Sequence, residues 1–475
     1  MKKIVAVIVA VFVLAGVLFY RTCLRVSEFV ILSTNDMHAT LDNVARLATA
    51  VRECRDTVFT IVVDAGDRWT GNAYVDLATD RLPIIRVMNE IGYNVATLGN
   101  HEFDAGQQTL ANAIEYAEFP IICANMDSGT DRRFAKLGSK SRIETPAGVL
   151  VDFVGVVTSF ANGHPDGNDS NFEGLNFYDA LDVAETECEG ADGDVKILLS
   201  HMGDDRDMEL AKRYDGYDVI IGGHTHRLLD TLVNGTVIGQ TQRKLKYVGV
   251  TRVKMRGRKV TGIDYENIPL AGYAKDEAME SVVADIESNP ALKVVVGTLA
   301  KDLDHTGLCN LQTEIIRDAT QADIGIYHSG GVRLDGLKSG DVVVKQLFDN
   351  EPFFSQVHLA DMTAAQLRKL IITKYNDTTN AKESHRVDLY ATTPYVIVVD
   401  EHNEAYDVRF PKLKEDRVYK VAIADYVARN YRDFECQNEV RTPLLVYELD
   451  VEYFVKHSPV RVSSKPLQRI VTRKR

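Results

Sequence analysis

An α/β layered domain followed by a second folded region is predicted on three observations. Short, β-rich apolar runs recur between residues 28 and 272; helix-patterned segments lie between them; and the texture of the chain changes near residue 272. Strands that alternate with helices imply a layered arrangement, because each sheet face and each apolar helix stripe must be covered by another element. With 475 residues, the chain is long enough for about two to three domains.

The chain begins with a membrane signal. Met1-Lys2-Lys3 precedes an uncharged run from Ile4 to Tyr20, which as a helix is roughly 26 Å long, close to the thickness of a hydrocarbon core. The two lysines favour a cytoplasmic N-terminus, while Arg21 and Arg25 follow on the other side. The residues before Arg21 lack the spaced small side chains of a cleavage site, which favours a retained anchor over residues 1–27. A cleaved signal and lipidation at Cys23 are the alternatives. All three export the remainder of the chain, to the periplasm or the cell surface, with the anchor tethering it to the membrane.

From Glu28 onward, Phe29 to Leu32, Thr60 to Val63, Val95 to Leu98, Val195 to Leu199 and Asp218 to Ile221 read as buried strands. Each is short, rich in branched residues and bounded by turn residues. Asn43 to Glu53 and Gln107 to Tyr116 carry helical patterns. Tyr273 to Asn289, closed by Pro290, reads as a connecting helix, so residues 273–292 form a linker and residues 293–475 a second region. There, strands are expected at Lys293 to Leu299, Asp323 to His328, Tyr395 to Val399 and Tyr419 to Ile423, and a helix at Ala364 to Lys374. The basic stretch Arg469 to Arg475 reads as a frayed end.

Bulk properties exclude several classes. Apolar residues at 45% and charged residues at 26% are those of a folded globular chain. A net charge of -13 argues against binding a nucleic-acid polymer, which requires a basic surface. A small phosphate ligand stays compatible, since bound cations invert the local field. The six cysteines are scattered without a C-x-x-C pair, so neither a zinc ribbon nor a dense disulfide framework is expected, and their spacing fixes no pairing. Oligomeric state is not legible.

The chemistry lies in five polar clusters, each directly after a predicted strand: Asn35-Asp36-Met37-His38, Asp64-Ala65-Gly66-Asp67, Gly99-Asn100-His101-Glu102-Phe103-Asp104, Ser200-His201, and Gly222-Gly223-His224-Thr225-His226. Ligand sites of layered α/β folds collect at the carboxyl ends of strands, so residues distant in sequence converge there. Two Asp, four His and one Asn in these slots form a donor set for two divalent cations bridged by one carboxylate. One such cluster alone is more often a solvated turn than a metal site; five in this order are not explained by chance.

These residues resemble the calcineurin-like metallophosphoesterases, and more narrowly the 5'-nucleotidase family, over essentially the whole exported chain. The resemblance implies a four-layer αββα sandwich at residues 28–272 and an α+β substrate-binding domain at 293–475. It implies that Asp36, His38 and Asp67 hold a first divalent ion with His226 nearby, a position where some relatives carry glutamine. Asp67 bridges to a second ion completed by Asn100, His201 and His224. Zn, Mn, Co and Fe all suit these ligands. His101 and Asp104 look like the family's catalytic pair; three residues apart, they can sit one helical turn from each other. In the second region, Asn310-Leu311 and Asp318-Ala319 match the opening helix, and Glu351-Pro352-Phe353-Phe354 matches a Pro-Phe turn. Ser329-Gly330-Gly331-Val332-Arg333 matches a glycine turn whose arginine contacts phosphate, a task suited to a guanidinium fork. The chain departs from the pattern at Arg429 to Phe434, which lacks the Gly-Gly-Asp-Gly run preceding a base-stacking ring. Phe434 takes that role in the implied alignment, and Tyr390 and Tyr395 are candidates for the second ring.

The function implied is metal-dependent hydrolysis of phosphate esters, with a nucleotide as substrate. Cyclic-nucleotide phosphodiesterase, nucleotide-sugar hydrolase and thiosulfohydrolase activities share the fold and are the alternatives, Gly66-Asp67-Arg68-Trp69 being compatible with more than one. A nucleotide-binding protein without catalysis is the alternative from another class.

Overall fold

The computed structural model describes residues 10–14, 16, 24–160, 163–377, 388–430 and 436–473. Most of Ile4 to Tyr20, together with Cys23 and Phe434, lies outside them. Among the described residues no helix is long and apolar enough to cross a membrane. The five described cysteines, Cys54, Cys123, Cys188, Cys309 and Cys436, are free. The chain divides into one unit of Met1–Thr70 with Leu77–Glu287 and another of Gly71–Asp76 with Ser288–Arg475.

In the first unit, β1 (Val26–Thr34), α1 (Val44–Arg55), β2 (Thr60–Asp64), α2 (Leu82–Ile91), β3 (Val95–Thr97), α3 (Gly106–Tyr116) and β4 (Ile121–Ile122) follow one another. Next come β5 (Lys140–Glu144), β6 (Leu150–Val157), α4 (Ala180–Glu189), β7 (Val195–His201), α5 (Asp204–Arg213) and β8 (Val219–Ile221). The unit closes with β9 (Leu228–Val233), β10 (Thr236–Thr241), β11 (Tyr247–Arg256), β12 (Lys259–Pro269) and α6 (Glu277–Ile286). Two six-stranded sheets result, in the orders β12-β11-β1-β2-β3-β4 and β9-β10-β8-β7-β6-β5.

Alternation decides the layering, since successive strand side chains point to opposite faces. Phe29, Ile31, Ile61, Val63 and Val95 of the first sheet share one core with Phe153, Val195, Ile197, Leu199, Val219 and Ile221 of the second. The opposite face of the second sheet, including Val154, Val156, Leu198 and Ile220, packs against Leu181 and Ala184 of α4 and Leu210 of α5. On the outer face of the first sheet, Val30, Leu32 and Val62 are buried, as are Leu47 of α1 and Ile84 of α2. Helix, sheet, sheet and helix form the four expected layers. Strands buried on both faces explain why the sequence shows continuous apolar runs there.

The segment read as a connecting helix is shorter than expected and packs onto the first unit as α6. Asp276 caps it by accepting from the Met279 N–H at 3.0 Å and is ion-paired with Arg52 of α1. Asp285 accepts from Arg86 of α2 at 2.7 Å.

The second unit contains β13 (Val295–Leu299), α7 (His305–Thr320), β14 (Ile324–His328), β15 (Gly340–Val343), β16 (Gln356–Thr363), α8 (Ala364–Tyr375) and β17 (Leu389–Ala391). After these come β18 (Tyr395–Val399), β19 (Ala405–Arg409), β20 (Val418–Ala424), β21 (Gln437–Leu445), α9 (Val446–His457) and β22 (Gln468–Thr472). A five-stranded sheet runs β17-β14-β20-β16-β21, and a three-stranded one β19-β18-β22. Ala422 and Ala424 face a core with Leu311, Ile315, Val446 and Phe454. Val421 and Ile423 face the opposite core, with Leu367, Ile371 and Ile397. The C-terminal stretch read as frayed is instead largely β22, pairing parallel with β18 from Gln468 opposite Tyr395 to Thr472 opposite Val399. Ladder hydrogen bonds to an existing strand order a segment whose basic residues suggested only solvation.

Candidate active site

The five predicted loops converge on one edge of the first unit. β1, β2 and β3 run parallel, with Thr34 beside Asp64 and Asp64 beside Ala96. β7 and β8 are likewise parallel, with Leu199 beside Ile221. Their carboxyl ends therefore deliver Asp36 and His38, Asp67, Asn100 and His101, His201, and His224 and His226 to the same place. Cross-loop hydrogen bonds fix the arrangement. The Asp36 N–H donates to Gly66 O at 2.9 Å and the His38 N–H to Asp67 O at 3.0 Å. The two sheets are joined by the His224 N–H, which donates to the Asp36 carboxylate at 3.0 Å.

The backbone is strained where the candidate ligands sit. Asp36 (φ 48), His38 (φ 46), Asp67 (φ 56), His224 (φ 76) and His226 (φ 55) all occupy the left-handed region, which residues with a Cβ seldom adopt and which costs on the order of 1 kcal/mol or more each. Gly99 answers a different need: a Cβ there would overlap the Asp67 carboxylate.

Ligand atoms fall into interlocking groups, each within 4.8 Å: Asp36, His38 and His226; Asp67, His201 and His224; and His38, Asp67 and His101. His38 Nε2 lies 2.9 Å from His226 Nε2, and Asp36 Oδ1 is 3.4 Å from His226 Nε2. Asp67 Oδ2 is 3.1 Å from His201 Nε2, and Asn100 Oδ1 is 3.1 Å from His224 Nδ1. Asp36, His38 and His201 are fully buried.

Hydrogen bonds behind the rings settle which nitrogens bear lone pairs. A carbonyl can only accept, so His201 Nδ1, 2.7 Å from Ala65 O, and His38 Nδ1, 3.2 Å from Thr70 O, carry the protons of the neutral rings. Both Nε2 lone pairs then point inward, the orientation that outer partners impose on metal-binding histidines. His201 Nε2 is buried and makes no directional hydrogen bond among the described residues. Lone pairs and carboxylate oxygens facing one another this closely fit divalent cations.

Charge compensation within the cluster is strong. Burial opposes ionisation of Asp67, but His201, His101 and His38 hold its carboxyl well below the usual range. Burial likewise opposes a charged His201, yet in the absence of a cation Asp67 raises it to about 10, so that a proton on Nε2 then stands where a cation would bind. Burial, reinforced by His201, lowers His224 to about 4.

His101 and Asp104 meet as predicted. A 3-10 turn over His101–Phe103 brings His101 Nδ1 to 2.7 Å from Asp104 Oδ2, leaving Nε2 on the cluster side, 3.9 Å from Asp67 Oδ2. Glu102, between them, has a role the sequence did not disclose. Fully buried, it accepts from the Asp67 and Arg68 N–H groups, both at 2.9 Å, and from the Gly99 N–H. It thereby braces the Asp67 loop against the Asn100 loop. Asn35 was likewise missed as a brace: it donates to Asp36 Oδ2 at 2.6 Å and accepts from the Thr241 N–H at 2.8 Å. An amide or acid flanking ligand residues is the one available signal, and it is shared with ordinary turns.

The family model for calcineurin-like phosphoesterase matches residues 29–228, and that for the 5'-nucleotidase C-terminal domain matches residues 290–439. The chain belongs to the calcineurin-like phosphoesterases of the 5'-nucleotidase type. The residues brought together at this edge fit two divalent cations, in keeping with the match to calcineurin-like phosphoesterases. Over 402 or fewer residues, the chain is 27% identical to the trifunctional nucleotide phosphoesterase YfkN of Bacillus subtilis and 26% identical to the endonuclease YhcR of the same organism. Each alignment covers 72% of this chain, which spans only 27% and 32% of those relatives' lengths. It is 25% identical to the protein UshA of Yersinia enterocolitica over 92% of both chains. The crystal structure of a 5'-nucleotidase precursor from Thermus thermophilus shares the fold, with a TM-score of 0.80, 20% identity, and coverage of 94% of this chain and 99% of that one.

The predicted substrate residues Gly330, Gly331 and Arg333 lie in the second unit. A Cβ at Gly331 would approach the Tyr327 ring to 2.7 Å and His328 Nε2 to 2.8 Å, so a side chain there would have to displace these rings. The Arg333 guanidinium carbon lies 5.5 Å from the Phe353 ring centroid. Tyr395 is not a stacking ring: it is buried and its hydroxyl donates to Leu389 O. Tyr390 belongs to the core beneath α7. The sequence left both as candidates because an aromatic residue in a strand reads the same whether it packs inward or meets a ligand.

Proposed function

We propose that this phosphoesterase is a 5'-nucleotidase, hydrolysing the phosphate ester of nucleotides outside the cytoplasm. The observation that carries the reading is the sharing of Asp67 between ligand groups, with His101 and Asp104 alongside; the match of the second unit to the 5'-nucleotidase C-terminal domain supports the substrate class. The apolar N-terminal run supports export and, in this reading, would tether the chain to the membrane.

Asp36, His38 and His226 would hold one cation, Asn100, His201 and His224 the other, and Asp67 both. When bound, such a pair supplies Lewis-acid charge to the phosphoryl oxygens. His101, doubly protonated with its Nδ1–H donating to Asp104, would present Nε2–H to a phosphoryl oxygen and stabilise charge that develops there. The braced loops hold these groups in place before substrate arrives, which is how positioning lowers a phosphoryl-transfer barrier. Arg333, Gly330, Gly331 and Phe434 are assigned to substrate binding.

The test is inorganic phosphate release from the purified chain, supplied with manganese, across nucleoside monophosphates, diphosphates, cyclic nucleotides and sugar nucleotides. Release from the 5'-monophosphates, abolished in Asp67→Ala, is expected. Turnover restricted to another class in the panel, or full activity in Asp67→Ala, overturns the proposal.

A further inference from the structure

Behind His101 a chain of hydrogen bonds runs away from the ligand cluster into the protein. The Thr70 hydroxyl donates to Asp104 Oδ2 at 2.6 Å, the same oxygen that lies 2.7 Å from His101 Nδ1. The Arg81 Nη1 group donates to the Thr70 hydroxyl at 3.0 Å. Arg81 is 1% exposed and among the largest fully buried side chains. Its carbonyl accepts from Trp69 Nε1 at 3.2 Å, and its guanidinium carbon lies 6.0 Å from the Trp69 ring, so it is tied to the residue next to Thr70. Thr70 (φ 69) and Arg81 (φ 51) both adopt left-handed backbone, a strain that persists only where surroundings over-determine the conformation.

The chemistry of these groups gives the chain a direction. A guanidinium has donors and no acceptor, and it stays protonated. The Thr70 hydroxyl must therefore accept from Arg81, and its single proton points to Asp104. Asp104 Oδ2, receiving that proton and facing His101 Nδ1, keeps the imidazole proton on Nδ1 and fixes the ring plane. Nε2 is thereby turned to the cluster, where in the doubly protonated ring its proton is placed to be donated to a phosphoryl oxygen. Thr70 acts at a second point, because its carbonyl faces His38 Nδ1 at 3.2 Å. One residue thus helps orient two histidine rings, His38 directly and His101 through Asp104.

We propose that Thr70 and Arg81 are positioning residues of the reaction: a buried cation orients a hydroxyl, the hydroxyl orients a carboxylate, and the carboxylate orients His101. The inference rests on His101 acting on substrate as described above. Outer partners of this kind typically change activity about 10- to 100-fold when removed.

The experiment uses the full chain loaded with manganese and adenosine 5'-monophosphate. Thr70→Val, Thr70→Ser, Arg81→Met and Arg81→Lys are compared in the wild-type and His101→Ala backgrounds, with bound manganese and thermal midpoint recorded for each. Thr70→Val and Arg81→Met are expected to lower kcat about 10- to 100-fold at unchanged KM and manganese content, and Thr70→Ser to restore it. In the His101→Ala background the same changes should have almost no effect, since residues acting through one group are not additive. Thr70→Val, which keeps the carbonyl facing His38, carries the test if Arg81→Met does not fold. A second readout is independent of turnover: in zinc-loaded protein labelled with nitrogen-15 histidine, the His101 Nδ1–H resonance should move or vanish in Thr70→Val and return in Thr70→Ser. If the wild type hydrolyses no nucleotide, the proposed function falls, and this resonance still reads the chain. A resonance indifferent to Thr70→Val, or an undiminished loss of kcat in the His101→Ala background, overturns the inference.

Discussion

His38 Nε2 and His226 Nε2 face each other at 2.9 Å, from loops 188 residues apart in sequence. With the His38 proton held at Nδ1 by Thr70 O, its inward nitrogen offers a lone pair. On the proposed function, two such nitrogens beside the Asp36 carboxylate would hold one of the two cations.

His226→Ala should accordingly weaken one cation while sparing the other, because Asp67, His201 and His224 form a separate group. Titration calorimetry with manganese should show one of two binding events lost or shifted to weaker affinity, with His226→Gln closer to wild type, since an amide oxygen can replace the imidazole donor. Two unaltered events in His226→Ala contradict the assignment.

Glu102 is expected to matter for stability as much as for activity. Its carboxylate serves the N–H groups of Asp67, Arg68 and Gly99 and lies 3.9 Å from the buried Arg68 guanidinium. Glu102→Ala strands these donors and leaves a buried cation less compensated, at a cost of about 3–5 kcal/mol. Urea unfolding should show this loss, with Glu102→Gln intermediate. A loss under about 1 kcal/mol would show that the loops hold without it.

The contrast between Glu102 and the ligands shows what the sequence made legible. Strands such as Phe29 to Leu32 and Val195 to Leu199 stood out because burial on both faces leaves an uninterrupted apolar run. Asp36, His38, Asp67, Asn100, His201, His224 and His226 stood out because their side-chain types suit only a few tasks together. Thr70 and Arg81 carry no such mark: a threonine in a turn and an arginine in a helical approach are common, and only folding brings them behind Asp104. β22 and Tyr395 were misread for a related reason. Strand pairing and the direction of an aromatic ring are decided by partners far away in the chain.

The second unit should lose stability as pH rises. Burial pushes the fully buried Glu351 carboxyl up to about 7; the Ser355 and Tyr327 hydroxyls oppose this and Asp425 adds to it. A folded value above the ordinary one of about 4.3 means that the native state holds the proton more tightly. The resulting stabilisation is fully present below about pH 4.3 and is lost as pH rises through about 7, on the order of 3 kcal/mol in all. Asp450, also raised by burial, acts in the same direction. Urea midpoints between pH 5 and pH 8 should fall in the wild type and fall less in Glu351→Gln; equal slopes contradict the assignment.

The central claim is that one carboxylate, Asp67, serves two cations. Anomalous diffraction at the manganese edge from manganese-loaded crystals tests it most directly. Two peaks roughly 3.5–4 Å apart are expected, both within bonding distance of Asp67, one flanked by His38 and His226 and the other by His201 and His224. A single peak, or two peaks of which only one touches Asp67, would contradict it.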